Sequence, residues 1–164
     1  MKRIKLTQEK YALVDDENFE VMNRYTWFYS KHGRTGYAYR IKIVSKNKSS
    51  KKPRKRISIK MHQDILCTKS GIDHIDHNGL NNCKNNLRIC TQQQNCFNAQ
   101  KTNKPTSSKF KGVTFDKQTN KWIAQITHNG NYIKLGRHVN EIIAAETYDK
   151  AAKKLFGEFA YTNF

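Results

Sequence analysis

The stretch Asp73–Asn95, DHIDHNGLNNCKNNLRICTQQQN, decides the fold of the central part of the chain. Within it, Asn78-Gly79 is a strong signal for a tight turn between two extended segments. Thr91 with Gln94 three residues later forms a capping box, which predicts that a helix begins there. The stretch therefore predicts a strand, a long turn, a short strand and a helix, in that order.

Three side chains that can accept a proton or bind a divalent cation fall on these predicted elements. Asp73 and His74 lie on the first strand, and Asn95 lies in the first turns of the helix. A histidine can accept a proton near neutral pH, and carboxylate and amide oxygens are ligands that Mg²⁺ and Mn²⁺ prefer. Activated water and a divalent cation are what the hydrolysis of a phosphodiester bond needs.

The run D-H-I-D-x-N-x-L-x-N, the N-L-R after it and the Q-N on the helix resemble the HNH endonucleases, whose small unit is the ββα-metal fold. The resemblance covers residues 61–100 and implies that His74 is the general base. It implies that Asp73 and Asn95 hold a divalent metal, Mg²⁺ first and Mn²⁺ as the alternative, and that Asn86 fixes the loop between the strands. The implied products carry a 5′-phosphate and a 3′-hydroxyl.

Some positions depart from the pattern of that family. Ala99 stands where many relatives supply another metal-ligating His, and the resulting two-ligand site favours Mg²⁺ over zinc. The four cysteines form no C-x-x-C pair, which disfavours a structural zinc site. His62 matches a His at a helix start in close relatives, and we predict a structural or phosphate-contacting role for it. His77 replaces a frequent Gly, and we predict a turn residue.

The net charge of the chain indicates the class of its binding partner. The chain of 164 residues has 31 Lys and Arg against 13 Asp and Glu, a net charge of +18, which indicates a polyanion partner. No apolar run approaches the length of a membrane span. We therefore predict double-stranded DNA as the partner, with no membrane and no small-molecule substrate. Because we find no signal peptide, we expect an intracellular protein, in the host cytoplasm or nucleoid, or in the nucleus of a eukaryotic host.

Residues 1–60 read as a small β-rich module. Tyr37, Tyr39, Ile41 and Ile43 alternate with Ala38, Arg40 and Lys42, which predicts a half-buried strand. The basic run from Lys46 to Arg56 favours phosphate contact, while a solvated loop or a nuclear localisation signal stays open. The predicted contacts there are Lys51, Lys52, Arg54, Lys55 and Arg56.

Residues 101–108 read as a linker, and residues 109–164 as a separate module of three strands and a helix. Asn129-Gly130 predicts the turn between the last two strands, and Gly157 closes a helix over Glu141–Phe156. Trp122, Ala124 and Ile126 should face that helix, with Ile133 and Leu135 beside them. The predicted apolar stripe of the helix consists of Ile142, Ala145, Ala152 and Leu155.

S-K-F-K-G-V from Ser108, K-W at Lys121, Y-D-K-A-A from Tyr148 and the closing N-F resemble the ethylene-response-factor (AP-two/ERF) DNA-binding domain. Such domains lay a three-stranded sheet into the major groove. The positions that the resemblance assigns to DNA are Lys111, Thr114, Lys121, Gln125, Thr127, Tyr132, Lys134 and Arg137. Because Arg137 is the one arginine among them, we expect contacts to the DNA phosphates with modest preference for particular bases.

These observations predict an α+β protein with a β-rich module (1–60), an HNH unit (61–100), a linker (101–108) and an AP-two/ERF-like domain (109–164). The opening segment, with Trp27 and Gly36-Tyr37-Ala38, also resembles phage HNH proteins that carry such an appended domain. We expect a phage or mobile-element homing endodeoxyribonuclease that nicks DNA as a monomer, with a dimer left open. The alternatives are a catalytically inactive DNA-binding regulator and an RNA-binding module.

Overall fold

The computed structural model describes residues 1–44, 55–101 and 106–164. The chain divides into two compact units, Met1–Thr91 and Gln92–Phe164. Both contain small antiparallel sheets with helices, so the α+β prediction is confirmed. In these three ranges no helix is long and apolar enough to cross a membrane.

The first unit contains two hairpins, a three-stranded sheet and short helices. In chain order its described elements are β1 (Lys2–Lys5), β2 (Tyr11–Val14), α1 (Asp16–Met22), β3 (Phe28–His32), β4 (Thr35–Val44), β5 (Lys55–Lys60), α2 (Met61–Ile65), β6 (Gly71–His74), a 3-10 turn (Lys84–Asn86) and β7 (Leu87–Cys90). β1 pairs with β2, β6 pairs with β7, and the larger sheet has the order β3-β4-β5. The strand, long turn and short strand predicted around Asn78-Gly79 are therefore confirmed.

One apolar core holds the first unit together. Trp27 is 1% exposed and its indole nitrogen donates to the Met22 carbonyl at 2.8 Å. Residues before and after residue 60 contribute to the same cluster, which consists of Ile4, Leu6, Ala12, Val14, Met22, Trp27, Ala38, Met61, Ile65 and Leu87. The β-rich segment and the β6–β7 hairpin thus share one core, and the boundary drawn from the sequence at residue 60 falls inside it.

Strand β4 is present where the alternation predicts it, but its fully buried residue lies on the other face of the strand. Ala38 is buried, whereas Ile41 and Ile43, which point to the face opposite to Ala38, are 45% and 51% exposed. Both lie in the half of this ten-residue strand that pairs with β5. The predicted phosphate contacts Lys51, Lys52 and Arg54 lie outside the described residues.

The second unit contains a short helix, a three-stranded sheet and a long helix. Its described elements are α3 (Gln92–Asn98), β8 (Val113–Asp116), β9 (Lys121–His128), β10 (Asn131–His138), α4 (Glu141–Phe156) and a 3-10 turn (Gly157–Phe159). α3 begins directly after Thr91, as the capping box predicts. The antiparallel sheet has the order β10-β9-β8, and Asn129 and Gly130 turn between β9 and β10 with φ of 51° and 77°.

Small side chains let α4 lie close to the sheet. Ala124 on β9 packs against Ala144 and Ala145, and Ile126 packs against Tyr148 and Ala152. This confirms the predicted inward face of β9. Burying the small alanines excludes water while allowing close approach of helix and sheet.

One expectation for this packing is wrong. Ile142 is 51% exposed, because it lies two residues before Ala144 and so about 200° around the helix from it. Ile133 pairs with Ile126 and so shares its face of the sheet as expected, although it is 37% exposed, and Leu135 packs against the core.

Replacing Trp27 tests the shared core. Trp27→Ala should lower the free energy of unfolding of the first unit by about 3–5 kcal/mol, because a large buried side chain leaves a cavity. Urea denaturation measures the free energy of unfolding, and hydrogen exchange of the β1 and β6 amides shows whether both parts of the core are affected. The matched control is Val21→Ala, since Val21 is 46% exposed in the same unit. This substitution should lower the free energy of unfolding by about 0.5 kcal/mol or less. Equal effects of the two substitutions would contradict a single core centred on Trp27.

Candidate active site

The β6–β7 hairpin sets Asp73 directly opposite Arg88 and His74 opposite Leu87. Arg88 donates to the Oδ2 atom of Asp73 from Nε at 2.9 Å and from Nη2 at 2.7 Å. Both side chains are nearly buried, with exposed fractions of 12% and 6%. Charge-assisted hydrogen bonds of this kind orient the carboxylate firmly. No motif in the sequence indicated a role for Arg88, although the register of the hairpin supplies a signal for the pair.

The His74 imidazole is buried beside Asp73. Its ring lies edge-on to that of His62, with centroids 4.9 Å apart, and tilted against Tyr37, with centroids 5.8 Å apart. Burial lowers the pKa of His74 and Lys60 adds to this, while the side chain of Asn82 and the carboxylates of Asp76 and Asp73 oppose it. The net effect keeps the imidazole neutral at neutral pH, which is the form that accepts a proton.

His62 lies in the first turn of α2 and is 5% exposed. Burial, with the neighbouring His74 and Lys60, lowers the pKa of His62 to about 3. Its Nδ1 atom is buried without a hydrogen-bond partner among the described residues. His62 is therefore a neutral ring packed against His74.

Asn86 joins the two ends of the loop that follows His74. Its Nδ2 atom donates to the Oδ1 atom of Asp76 at 2.8 Å and to the carbonyl of Asn81 at 2.9 Å. Its Oδ1 atom accepts from the Asp76 amide at 3.0 Å. The Asn78 amide and the Asn81 side chain also donate to Asp76, at 2.8 and 2.7 Å. Burial acts to raise the pKa of Asp76, but these hydrogen bonds outweigh it and lower the pKa.

The same loop requires one unusual backbone conformation. His77 has a φ of 62°, in the left-handed region that glycine adopts at least cost. This explains in physical terms why a turn residue was expected at this position.

The N-terminal strands hold the other side of this loop. The Leu13 amide donates to the Leu80 carbonyl at 2.8 Å, and the Leu13 carbonyl accepts from the Asn82 amide at 2.9 Å. The Oδ2 atom of Asp15 accepts from the Lys84 amide at 2.7 Å. These contacts could not be predicted from the sequence, because nothing local in either segment marks the other as its partner.

Tyr37 forms one wall of the histidine pair. Its ring centroid lies 5.6 Å from that of His62, and burial followed by the charge of Asp73 raises the pKa of Tyr37. Gly79 has no space for a side chain, since a Cβ there would lie 2.5 Å from the Gly36 carbonyl oxygen and 2.6 Å from the Tyr37 ring. The β4 strand thus fits closely against the turn. The alternation predicted Tyr37 on a half-buried strand, but no pattern in the sequence indicated that it lies beside His62 and His74.

The implied metal has a suitable but small set of ligands. In residues 1–44, 55–101 and 106–164, no three His, Cys, Asp or Glu side chains gather as a metal-binding group. Asp73 supplies a carboxylate on β6, and Asn95 supplies an exposed amide on α3 of the second unit. These hard oxygen donors would suit Mg²⁺ or Mn²⁺. The pairing of Asp73 with Asn95 stays a prediction.

The second unit presents one polar face of its sheet to solvent. A bulge at Leu135 shifts the register, because Lys134 pairs with Gln125 while Gly136 pairs with Ala124. Arg137 then pairs with Ile123 and shares the outer face of the sheet with Gln125. The exposed predicted DNA contacts are Thr114, Lys121, Thr127, Tyr132, Lys134 and Arg137, and Gln125 is half-buried.

Side chains on this face contact each other across all three strands. The Tyr132 hydroxyl donates to the Oε1 atom of Gln125, and the Nε2 atom of Gln125 donates to the Thr114 hydroxyl at 3.4 Å. On the first unit, Lys55 and Arg56 are exposed on β5. The structure thus leaves these predicted contacts accessible, and their binding to DNA stays a prediction.

Lys111 is placed differently from the other predicted contacts. Its Nζ atom donates to the carbonyls of Phe97 and Ala99, each at 2.7 Å. Burial lowers the pKa of Lys111 to about 8. The ammonium group is therefore engaged at the end of α3.

Comparison with known proteins gives two relatives. The chain is 33% identical over 153 residues to a protein of Acanthamoeba polyphaga mimivirus named as an uncharacterized HNH endonuclease, covering 93% of this chain and 74% of that protein. It is 33% identical over 90 residues to Protein 3.8 of Escherichia phage T7, covering 54% of this chain and 72% of that protein. No protein-family model matches the chain.

Substituting Asn86 tests the loop. Asn86→Ala removes three hydrogen bonds and leaves buried partners unsatisfied, so it should lower the free energy of unfolding by about 2–3 kcal/mol. Chemical denaturation measures the loss. Asn23→Ala, at an exposed asparagine of the same unit, serves as control and should change stability by about 0.5 kcal/mol or less. A neutral Asn86→Ala would show that the loop does not depend on this amide.

The depressed pKa of His62 predicts a dependence of stability on pH. In the unfolded chain the pKa returns to its ordinary 6.5, whereas in the folded protein it is about 3. Between these values the unfolded state binds more protons, so stability falls as pH falls, by at most about 1.4 kcal/mol per pH unit.

His62→Gln should flatten this part of the pH profile of unfolding. His32→Gln, at an exposed histidine, should leave the wild-type slope in place. Denaturation curves at several pH values between 7 and about 4 give the comparison. An unchanged slope in His62→Gln would mean that His62 is not buried in its neutral form.

Proposed function

Because the chain belongs to the HNH endonuclease family, whose members are nucleases, we propose that it is a metal-dependent endonuclease that cuts double-stranded DNA. The observation that carries this proposal is the buried His74 imidazole, held neutral beside Asp73 on the β6–β7 hairpin. A neutral imidazole next to a carboxylate can accept a proton from water during attack on a phosphodiester.

In the proposed reaction, His74 takes a proton from a water molecule. The water oxygen forms a bond to phosphorus, and the bond from phosphorus to the 3′ oxygen breaks. The departing 3′ oxygen takes a proton from solvent water, so the products are a 5′-phosphate and a 3′-hydroxyl. Asp73 and Asn95 would hold a divalent metal, Mg²⁺ first, which supplies positive charge to the phosphate and the departing oxygen.

The side chains around His74 each have a separate task in this proposal. His62 and Tyr37 pack against the imidazole and hold its plane. Arg88 fixes one oxygen of Asp73. Asn86 and Asp76 hold the loop that follows His74, so that its backbone keeps one conformation. Fixed geometry of this kind lowers the barrier by orienting the reacting groups before the reaction.

Affinity for DNA would come from charge outside the hairpin. The net charge of +18 favours a polyanion, and the outer face of β8, β9 and β10 displays the AP-two/ERF-like contacts Lys121, Lys134 and Arg137. Because each chain carries the proposed site once, we propose nicking by a monomer; the homing-type assignment rests on the family resemblance alone.

A supercoiled plasmid tests this proposal. Wild-type protein with Mg²⁺ should convert it to the relaxed, nicked form, and His74→Ala should lower the rate by about 10²- to 10⁴-fold, because the general base is lost. His32→Ala, at an exposed histidine, should retain the wild-type rate. Gel electrophoresis over time gives the rates.

Other outcomes of this experiment would support other functions. Wild-type protein that binds duplex DNA but never nicks it with Mg²⁺ or Mn²⁺ would be an inactive DNA-binding regulator. Stronger competition by RNA than by duplex DNA at one fixed salt concentration would identify an RNA-binding module.

A further inference from the structure

We propose that Lys111 is a positioning residue that holds α3, and with it Asn95, instead of a contact to DNA. The C-terminal module would then be part of the nuclease and not only its means of finding DNA. This inference rests on the proposed function, because that function assigns metal binding to Asn95.

Helix α3 needs support from outside itself. It has seven residues and no basic residue in its last turn. Isolated helices of this length are unstable in water, because the cost of forming the first turn is not recovered. The last carbonyls of a helix also lack partners within it.

Lys111 supplies hydrogen-bond donors and a positive charge at the end of α3. Its Nζ atom binds the carbonyls of Phe97 and Ala99, each at 2.7 Å, and a cation is favourable at the carbonyl end of a helix. The Phe97 carbonyl also accepts from the Tyr161 amide at 3.3 Å. The end of α3 is thereby tied to two separate segments of the second unit.

The backbone of Lys111 is itself held in place. Its amide donates to the Oδ1 atom of Asn163 at 2.7 Å, and its carbonyl accepts from Nδ2 of Asn163 at 3.2 Å. Asn163 in turn donates to Asp149, a buried carboxylate on α4, at 2.9 Å. A chain of hydrogen bonds therefore runs from α4 through Asn163 to Lys111 and the end of α3.

Two more contacts fix the rest of the helix. The Phe97 ring stacks on Phe156 of α4, with centroids 3.8 Å apart and planes 9° apart. Near the start of α3, Nε2 of Gln93 donates to Oδ1 of Asn129 in the β9–β10 turn at 2.8 Å. Gln93 and Phe97 are four residues apart and share one helix face. Asn95 is exposed, so these contacts hold the helix while leaving its amide accessible.

Lys111→Met in the full chain tests this inference, because it keeps the side-chain length and removes the cation. The matched control is Lys154→Met, at an exposed lysine of α4. Hydrogen exchange of the α3 amides should be about tenfold faster in Lys111→Met and unchanged in the control, with β9 protection retained in both. Lys111→Arg should restore part of the protection, since it keeps the positive charge.

Kinetics separate positioning from DNA contact. With saturating DNA, Lys111→Met should nick about 10- to 100-fold more slowly. The reason is that displacing α3 moves the proposed metal ligand Asn95 out of its reactive position. The Kd for DNA and its salt dependence should stay close to those of wild type. Gln93→Ala, which removes a single contact at the opposite end of α3, should increase α3 exchange by less.

The opposite pattern would overturn the inference. If Lys111→Met raises Kd and reduces the salt slope by about 1, while the saturated rate and α3 protection stay unchanged, Lys111 is a phosphate contact. Slower nicking without faster α3 exchange would also exclude positioning. If wild-type protein nicks no DNA, the proposed function fails, and the exchange measurement still decides whether Lys111 holds α3.

Discussion

The hydrogen bonds between Asn86 and Asp76 are the constraint on which the β6–β7 hairpin depends. They close a loop of backbone that leaves β6 immediately after His74 and returns to β7 at Leu87. Without this closure, the register that sets Asp73 against Arg88 would have no fixed turn to define it. A buried amide can do this because it both donates and accepts, and so satisfies both partners.

The hairpin and the helix after it could be predicted from the sequence because their signals are local. Asn78-Gly79, Thr91 with Gln94, and Asn129-Gly130 each act within a few residues, and the structure has a turn or a helix start at each. Tyr37 and Leu13 gave no such signal, because their partners near the site lie far along the chain. The wrong expectation for Ile142 has another origin. Apolar character alone does not tell which face of α4 meets the sheet, because that face consists largely of alanines.

The two ends of the chain take different parts in supporting the central segment. The N-terminal strands share a core with the β6–β7 hairpin and bond directly to its loop through Leu13 and Asp15. The C-terminal module packs against α3 through Phe156 and Lys111. The family resemblance implies one compact ββα unit, whereas in this chain the β6–β7 hairpin packs within Met1–Thr91 and α3 packs within Gln92–Phe164.

The bulge at Leu135 has a consequence for how such proteins diverge. The bulge decides that Arg137 pairs with Ile123 and faces outward with Gln125, whereas a regular strand of the same length would pair Arg137 with Trp122 and turn it toward α4. Under the proposed function, a substitution that abolishes the bulge without changing the length of β10 would withdraw the arginine from the face presented to the DNA. A related sequence that lacks the bulge would therefore present a different side chain there without any substitution of Arg137 itself.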